Sequence, residues 1–247
     1  MKKVALIFSD IEIGAGTNTD DFVEDKLLYD TIKKNLKISN NYYLDFVFNG
    51  DIFDFLKCPH KGKYPRYITE KISVEKLESM HTAHPLFFKI MTECLEYNDN
   101  IRLIFITGNH DMDTVFPKVQ EKIKEFIAKN KEQQERILFP GFEYTDNLVH
   151  YEHGSQLDEV FKMDPKTIIY PAEEPFLNTP WGFNALYEHL FHMKEDYPYL
   201  ERLSPKSNTI SLLPLKLKKR LLFDTFIYLL KSFFYTQFKY KHDILYQ

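Results

Sequence analysis

The sequence predicts an α/β protein, and three observations carry that prediction. Short apolar runs rich in β-formers alternate with helical patterns, each run ends in a loop of Asp, Asn, Gly or His, and the strand, loop, helix unit occurs three times before residue 135. A length of 247 residues fits one large domain, or a domain with a subdomain, and 44% hydrophobic residues supply a sizeable core. The same composition excludes disorder, collagen and coiled coil.

Val4 to Phe8 reads as a buried strand delivering Ser9-Asp10. Asp20 to Leu36 places Phe22, Leu27, Leu28, Ile32 and Leu36 at helical spacing, with Asp20 and Asp21 suited to a helix start. A second strand, Tyr43 to Phe48, runs into Asn49-Gly50-Asp51, and one long helix is predicted over 74–97. The third strand, Ile101 to Thr107, ends in Gly108-Asn109-His110-Asp111. A charged helix over 121–136 follows, with Lys131 to Glu135 as its solvated face, and then a fourth strand-like segment, Asn147 to Tyr151, before Glu152-His153-Gly154. Ligands of such sheets gather outside the carboxyl ends of the strands, so these loops are expected to converge on one site.

Past Asp164 six prolines, from Pro165 to Pro205, interrupt the pattern. The expected division is a core over 1–164 and a Pro- and aromatic-rich cap or insertion over 165–247, ending in a basic helical segment from Leu215 to Tyr240. With 22 Phe and 16 Tyr against 8 Gly, part of the aromatic mass is expected to face a lipid, a base or a partner.

A net charge of -4 argues against a nucleic-acid binder. Residues 212–247 run against that balance, with seven basic residues and two acidic ones. Two arrangements suit them: peripheral contact with an anionic membrane, or a buried amphipathic helix with a solvated Lys face. Lys231 interrupts the apolar run over 221–238, which argues against a membrane span. Cys58 and Cys94 are too few for a disulfide framework or a zinc cluster and show no sign of activation. Asp10 arrives before an apolar stretch of signal-peptide length, so the expected location is cytoplasmic, with membrane association through 212–247.

The loops hold Asp10, Glu12, Asp51, Asp54, Asn109, His110 and His153. Carboxylates, an amide oxygen and imidazoles suit Mn²⁺, Fe, Zn²⁺ or Mg²⁺, not soft thiolate metals. Two such cations bridged by a carboxylate clamp the attacking and leaving oxygens of a phosphoryl displacement. Ser9-Asp10-Ile11-Glu12, Gly50-Asp51-Ile52-Phe53-Asp54, Gly108-Asn109-His110-Asp111 and His153-Gly154 resemble, in order, the motif blocks of the calcineurin-like metallophosphoesterase family. The Gly-Asp-Ile-Phe-Asp-Phe wording resembles its UDP-diacylglucosamine hydrolase branch.

The resemblance covers about residues 4 to 158. It implies a sandwich of two sheets flanked by helices, with the aromatic-rich C-terminal segment as insertion or cap, and two divalent metal ions, Mn²⁺ foremost. Asp51 would bridge both ions, Asp10 would bind the first, and Asn109 and His153 the second. His110 would act as acid or transition-state stabiliser with Asp111 orienting its imidazole, Asp54 would support the site without ligating, and a metal-bridging hydroxide would attack the phosphorus. The implied reaction is hydrolysis of a phosphate monoester or diester of a small molecule, nucleotide or lipid.

The chain departs from the family pattern twice. Glu12 stands where the first block has His, and the terminal Gly-His-x-His block is absent, since after Gly154 the sole glycine is Gly182, followed by Phe183. These departures fit either a chain shortened from a longer protein or a reduced site. They also motivate the competing expectation of a weakened or inactive module binding a partner, nucleotide or membrane. His189 and His192, spaced i, i+3, are candidates to supply missing ligands, whereas His150 falls on the opposite strand face from His153. Ser155 lies beside His153-Gly154 but lacks a Gly-x-Ser-x-Gly elbow.

Overall fold

A computed structural model describes residues 2–146, 149–164, 166–170, 174–180, 182–183, 191, 194–195, 198, 211 and 213–234. Strands β1 (Lys3–Phe8), β2 (Tyr43–Asn49), β3 (Ile101–Ile106) and β4 (Ile137–Gly141) form one parallel sheet in the order β1-β2-β3-β4. Helices α1 (Asp25–Asn35), α2 (Glu70–Ala83), α3 (Pro85–Tyr97), α4 (Pro117–Ile127) and α5 (Lys131–Glu135) provide the crossovers. The protein is α/β, as the repeat of strand, loop and helix predicts.

Each strand sends alternate side chains to opposite faces. Phe46, Phe48, Leu103 and Phe105 join the helices in the main core, while Val47, Ile104 and Ile106 face the other way. That second face is covered by Tyr144 and Tyr151 of an antiparallel hairpin, β5 (Glu143–Asp146) and β6 (Val149–Glu152). Buried Asp45 on β2 takes both arms of the Arg102 guanidinium, at 2.9 and 2.7 Å. Lys3 reaches from Asp45 to Asp146, so the hairpin is clamped to the sheet by charge as well as by rings. Such a desolvated, bidentate pair fixes register more than it adds stability.

Much of the aromatic surplus lies inside this core. Phe8, Phe48, Phe105 and Phe139 stack in a row across all four strands, with centroids 5.9, 4.8 and 5.3 Å apart. Each such pair contributes about 0.5–1.5 kcal/mol beyond its buried area. The site loops begin one to three residues beyond the first three of these rings, so the row is a rigid floor beneath them.

Several boundaries differ from the sequence reading. The helix predicted over 74–97 is two helices, because Pro85 lacks an N–H and disfavours helical geometry at His84. The helix predicted over 121–136 is likewise α4 and α5, joined through extended Ala128 and the side-chain cap of Asn130. Asp20 does not start α1, which begins at Asp25. Its carboxylate instead accepts from the N–H groups of Gly14, Gly16 and Phe22 and bonds His84 Nε2 at 2.8 Å.

The fourth strand of the parallel sheet is Ile137–Gly141, and the segment read as that strand is β6 of the hairpin, Val149–Glu152. Pro140 hid β4 from the sequence reading. It is tolerated because β4 is an edge strand bonded only to β3.

Met163, Leu177, Phe183 and Phe191 enter the main core. A short hairpin, β7 (Ile168–Ile169) with β8 (Phe176–Leu177), bonds back to Ile68 and Thr69 ahead of α2. Helix α6 (Leu215–Phe234) is different, since Leu222, Phe223, Phe226 and Phe233 are all half or more exposed. These exposed apolar side chains leave one face of the helix uncovered among the described residues. No described helix is long and apolar enough to cross a membrane.

Candidate metal centre

The loops after β1, β2 and β3 are stitched into one surface by main-chain hydrogen bonds. Asp10 N–H donates to Gly50 O at 3.2 Å, Glu12 N–H to Asp51 O at 2.9 Å, Asp54 N–H to Ile13 O at 2.8 Å and Phe55 N–H to His110 O at 3.1 Å. Asp10, Glu12 and Asp51 all hold left-handed backbone, with φ of 53°, 55° and 53°. Side chains with a Cβ adopt that region at a cost of roughly 1 kcal/mol each. Three acidic residues are thus held in strained turns by a network that over-determines them.

Two glycines make the close approach possible. A Cβ on Gly50 would lie 2.4 Å from His153 Cγ, and one on Gly108 would lie 2.3 Å from Asp51 Oδ1 and 2.5 Å from Asp51 N. No larger residue fits either place without displacing a site residue.

The ionisable groups fall into two clusters. Asp10, Asp51 and His153 bring one ligand-capable atom each within 4.8 Å of one another, and so do Glu12, Asp54 and His110. In the first, His153 Nδ1–H donates to Asn49 O at 3.0 Å, which leaves Nε2 facing Asp51 Oδ2 at 3.1 Å. That back-side bond fixes the tautomer needed by a metal-binding imidazole. Burial opposes charge on His153, but its bond with Asp51 and the Asp51 charge outweigh burial and push it up to about 9. Burial would likewise raise Asp51; the His153 bond and the charges of His110 and His153 hold it below the ordinary carboxylate range. Asn109 sits between two residues that touch Asp51, and its half-buried amide makes no hydrogen bond among the described residues.

In the second cluster His110 Nδ1 bonds Asp54 Oδ1 at 3.1 Å. Burial opposes its charge, yet the carboxylates of Asp54, Asp51 and Glu12 push it up to about 9. Asp54 is fully buried, which alone would raise it, but His110 and Lys57 hold it far below the ordinary range. Lys57 is the residue that sequence reasoning missed. Its ammonium, 4% exposed, lies 2.7 Å from Glu12, 2.9 Å from Asp54 and 2.9 Å from Asp21, and buried Lys194 pairs with Asp21 as well. No motif marks a lysine three residues after Asp54 as an interior cation; only the fold does.

Asp111 does not orient His110, contrary to expectation. Its two oxygens are taken by Gly108 N–H at 2.6 Å and Ile52 N–H at 2.8 Å, so it ties the β3 loop to the β2 loop while Asp54 holds the imidazole. Burial, and then the neighbouring Asp51 charge, push Asp111 up to about 7. The structure also gathers Asp10 and His153 into one cluster, whereas the resemblance assigned them to different ions.

His150 bonds Thr145 on the outer side of the hairpin, away from the site. His189 and His192 lie outside the described residues. Cys58 and Cys94 are buried, and burial pushes both thiols up, Cys58 to about 12. A groove of about 740 Å³ between α2, α4 and β7, lined by Val74, Phe116, Ile168 and Tyr170, includes none of the loop residues above.

Two carboxylates and an imidazole fixed from behind make the first cluster a donor set that suits a hard or borderline divalent cation. Comparison of the chain with family models, with curated proteins and with solved structures found no match.

Proposed function

We propose that the protein is a metal-dependent phosphoester hydrolase of calcineurin-like type. One observation carries the reading: three separated segments, each following a strand, bring Asp10, Asp51 and His153 together beside an imidazole whose own carboxylate partner is buried, with Asn109 preceding His110 in the loop that bonds Asp51. Asp10, Asp51, His153 and the Asn109 amide would hold the cation. When bound, it supplies charge for the phosphoryl oxygens and lowers the pKa of a water.

The remaining chemistry belongs to the chain. Asp54 fixes His110 at Nδ1 and leaves Nε2 to carry a proton to the leaving oxygen. The carboxylates of Asp54, Asp51 and Glu12 favour the protonated form of this imidazole against its burial. Asp111 and the two close-packed glycines hold the loops in register, which is what positioning demands of a site built on strand ends.

Hydrolysis of a generic aryl phosphate diester tests the reading. Mn²⁺-dependent turnover is expected, lost in Asp51→Asn and Asn109→Ala, and reduced in His110→Ala more than metal occupancy is. Full activity in all three variants rejects it. A second reading, a module that keeps the fold without turnover, draws on the engagement of Glu12 by Lys57. Cation binding with no hydrolysis of monoester or diester would favour it.

A further inference from the structure

We propose that this centre is built for one divalent cation, and that the Lys57 ammonium stands where a second would be needed. The proposal rests on the reading of the first cluster as a cation site, and it concerns the second. There, three carboxylates, Glu12, Asp54 and Asp21, face two ammonium groups, Lys57 and Lys194, and the imidazole of His110. Negative charge is already matched by charge from the chain itself. Lys57 is buried, so water screens its field little, and a dication beside Glu12 and Asp54 would meet that field at close range. One oxygen of each carboxylate is engaged by this ion pairing: Lys57 Nζ lies 2.7 Å from Glu12 Oε2 and 2.9 Å from Asp54 Oδ2.

The first cluster has the opposite balance. Among the described residues no lysine or arginine pairs with Asp10 or Asp51, and the one basic side chain between them is His153. An imidazole can give up its proton to a metal, whereas the Lys57 ammonium is held by three carboxylates at 2.7 to 2.9 Å. At position 12, where the resembled family has His, the carboxylate of Glu12 is engaged by the Lys57 ammonium at 2.7 Å. Lys57 acts on the reaction as a positioning residue, through Asp54 and so through His110, while adding a fixed positive charge beside the phosphoryl site.

Counting bound Mn²⁺ by equilibrium dialysis, with the EPR spectrum of the bound ion, tests the proposal without reference to turnover. One Mn²⁺ per chain is expected, with the spectrum of an isolated ion, weakened about 100-fold or more by Asp51→Asn and less than threefold by Glu12→Gln. Lys57→Met should then bind a second Mn²⁺ and show an exchange-coupled pair. Two ions in the unaltered protein overturn the proposal and leave the hydrolase reading standing. No bound ion overturns both. One ion that is lost in Glu12→Gln but kept in Asp51→Asn overturns the proposal by placing the ion in the other cluster. If Lys57→Met does not fold, the count and spectrum of the unaltered protein and of Glu12→Gln still decide.

Discussion

The two clusters of the site are built from the same kinds of residue, yet they differ in what balances them. Each has two carboxylates and an imidazole. Around Glu12, Asp54 and His110 the protein places a buried lysine, so the cluster is electrically closed. Around Asp10, Asp51 and His153 it places close-packed glycines and a main-chain carbonyl, and among the described residues no lysine or arginine pairs with Asp10 or Asp51. The difference teaches that residue types alone do not set the charge of a cluster; the neighbours that complete or withhold charge do.

The largest expected effect breaks the open cluster. Asp51→Asn preserves size and the hydrogen bond from His110 N–H, so folding should survive, while Mn²⁺-dependent hydrolysis falls by roughly 10³-fold or more, as expected for loss of charge at the reacting centre. Retained cooperative thermal unfolding with lost turnover checks both halves. The matching insult to the closed cluster should appear in stability instead. Lys57→Met leaves Asp54 and its neighbours without a buried cation, at a cost of about 3–5 kcal/mol in urea unfolding. Added Mn²⁺ should recover more of that loss than it adds to the unaltered protein. A cost below about 1 kcal/mol would mean that Lys57 does not hold this cluster together.

A pair of glycines sharpens the comparison further. Gly50 and Gly62 both have positive φ, but a Cβ on Gly50 meets His153 while one on Gly62 meets nothing within 4 Å. Both alanine variants carry a backbone penalty of roughly 1 kcal/mol. Gly50→Ala alone should also weaken Mn²⁺ binding, by about tenfold, through the displaced imidazole. Equal affinity in the two variants would show that the approach of Gly50 to His153 is not needed for the site.

How far the sequence anticipates these clusters follows from the kind of physics involved. Strand ends are legible because apolar runs stop abruptly at Asp10, Asp51 and Asn109, and a sheet aligns its strand ends whatever the helices do. Asp54 and Asp111 exchange expected roles because both lie near His110 in the loops, and only geometry decides whose oxygens are already spent on N–H groups. Lys57 and Lys194 are illegible for a stronger reason: lysine is ordinarily a surface residue, and burial becomes favourable only when carboxylates from distant segments meet it. The break at His84-Pro85 is legible in the proline itself, which ends a helical pattern whose apolar spacing runs on through it. Pro140 obscures β4, because its tolerance depends on strand order.

The smallest expected effect separates the two imidazoles by pH. In the metal-free protein both His110 and His153 are pushed up to about 9 by their carboxylate partners. Each therefore contributes stability that is complete below an unfolded value of roughly 6.5 and is lost as pH rises through about 9. Asp54, held low, contributes above about pH 4 and is lost only in stronger acid, so it does not enter this window. Metal-free stability should fall by several kcal/mol at most between pH 6.5 and 9, on the order of 3 kcal/mol being the ceiling for each ring. Saturating Mn²⁺ should remove the His153 share, because the ion binds the imidazole that has already lost its proton. The His110 share should persist, since that ring faces Asp54 and the Lys57 cluster. The gain in melting temperature on adding Mn²⁺ should thus grow from pH 6.5 to 9, and the growth should vanish in His153→Gln but survive in His110→Gln. Equal gains at both pH values would mean that the cation and the proton do not compete at His153, and the contrast between an open and a closed cluster would lose its chemical basis.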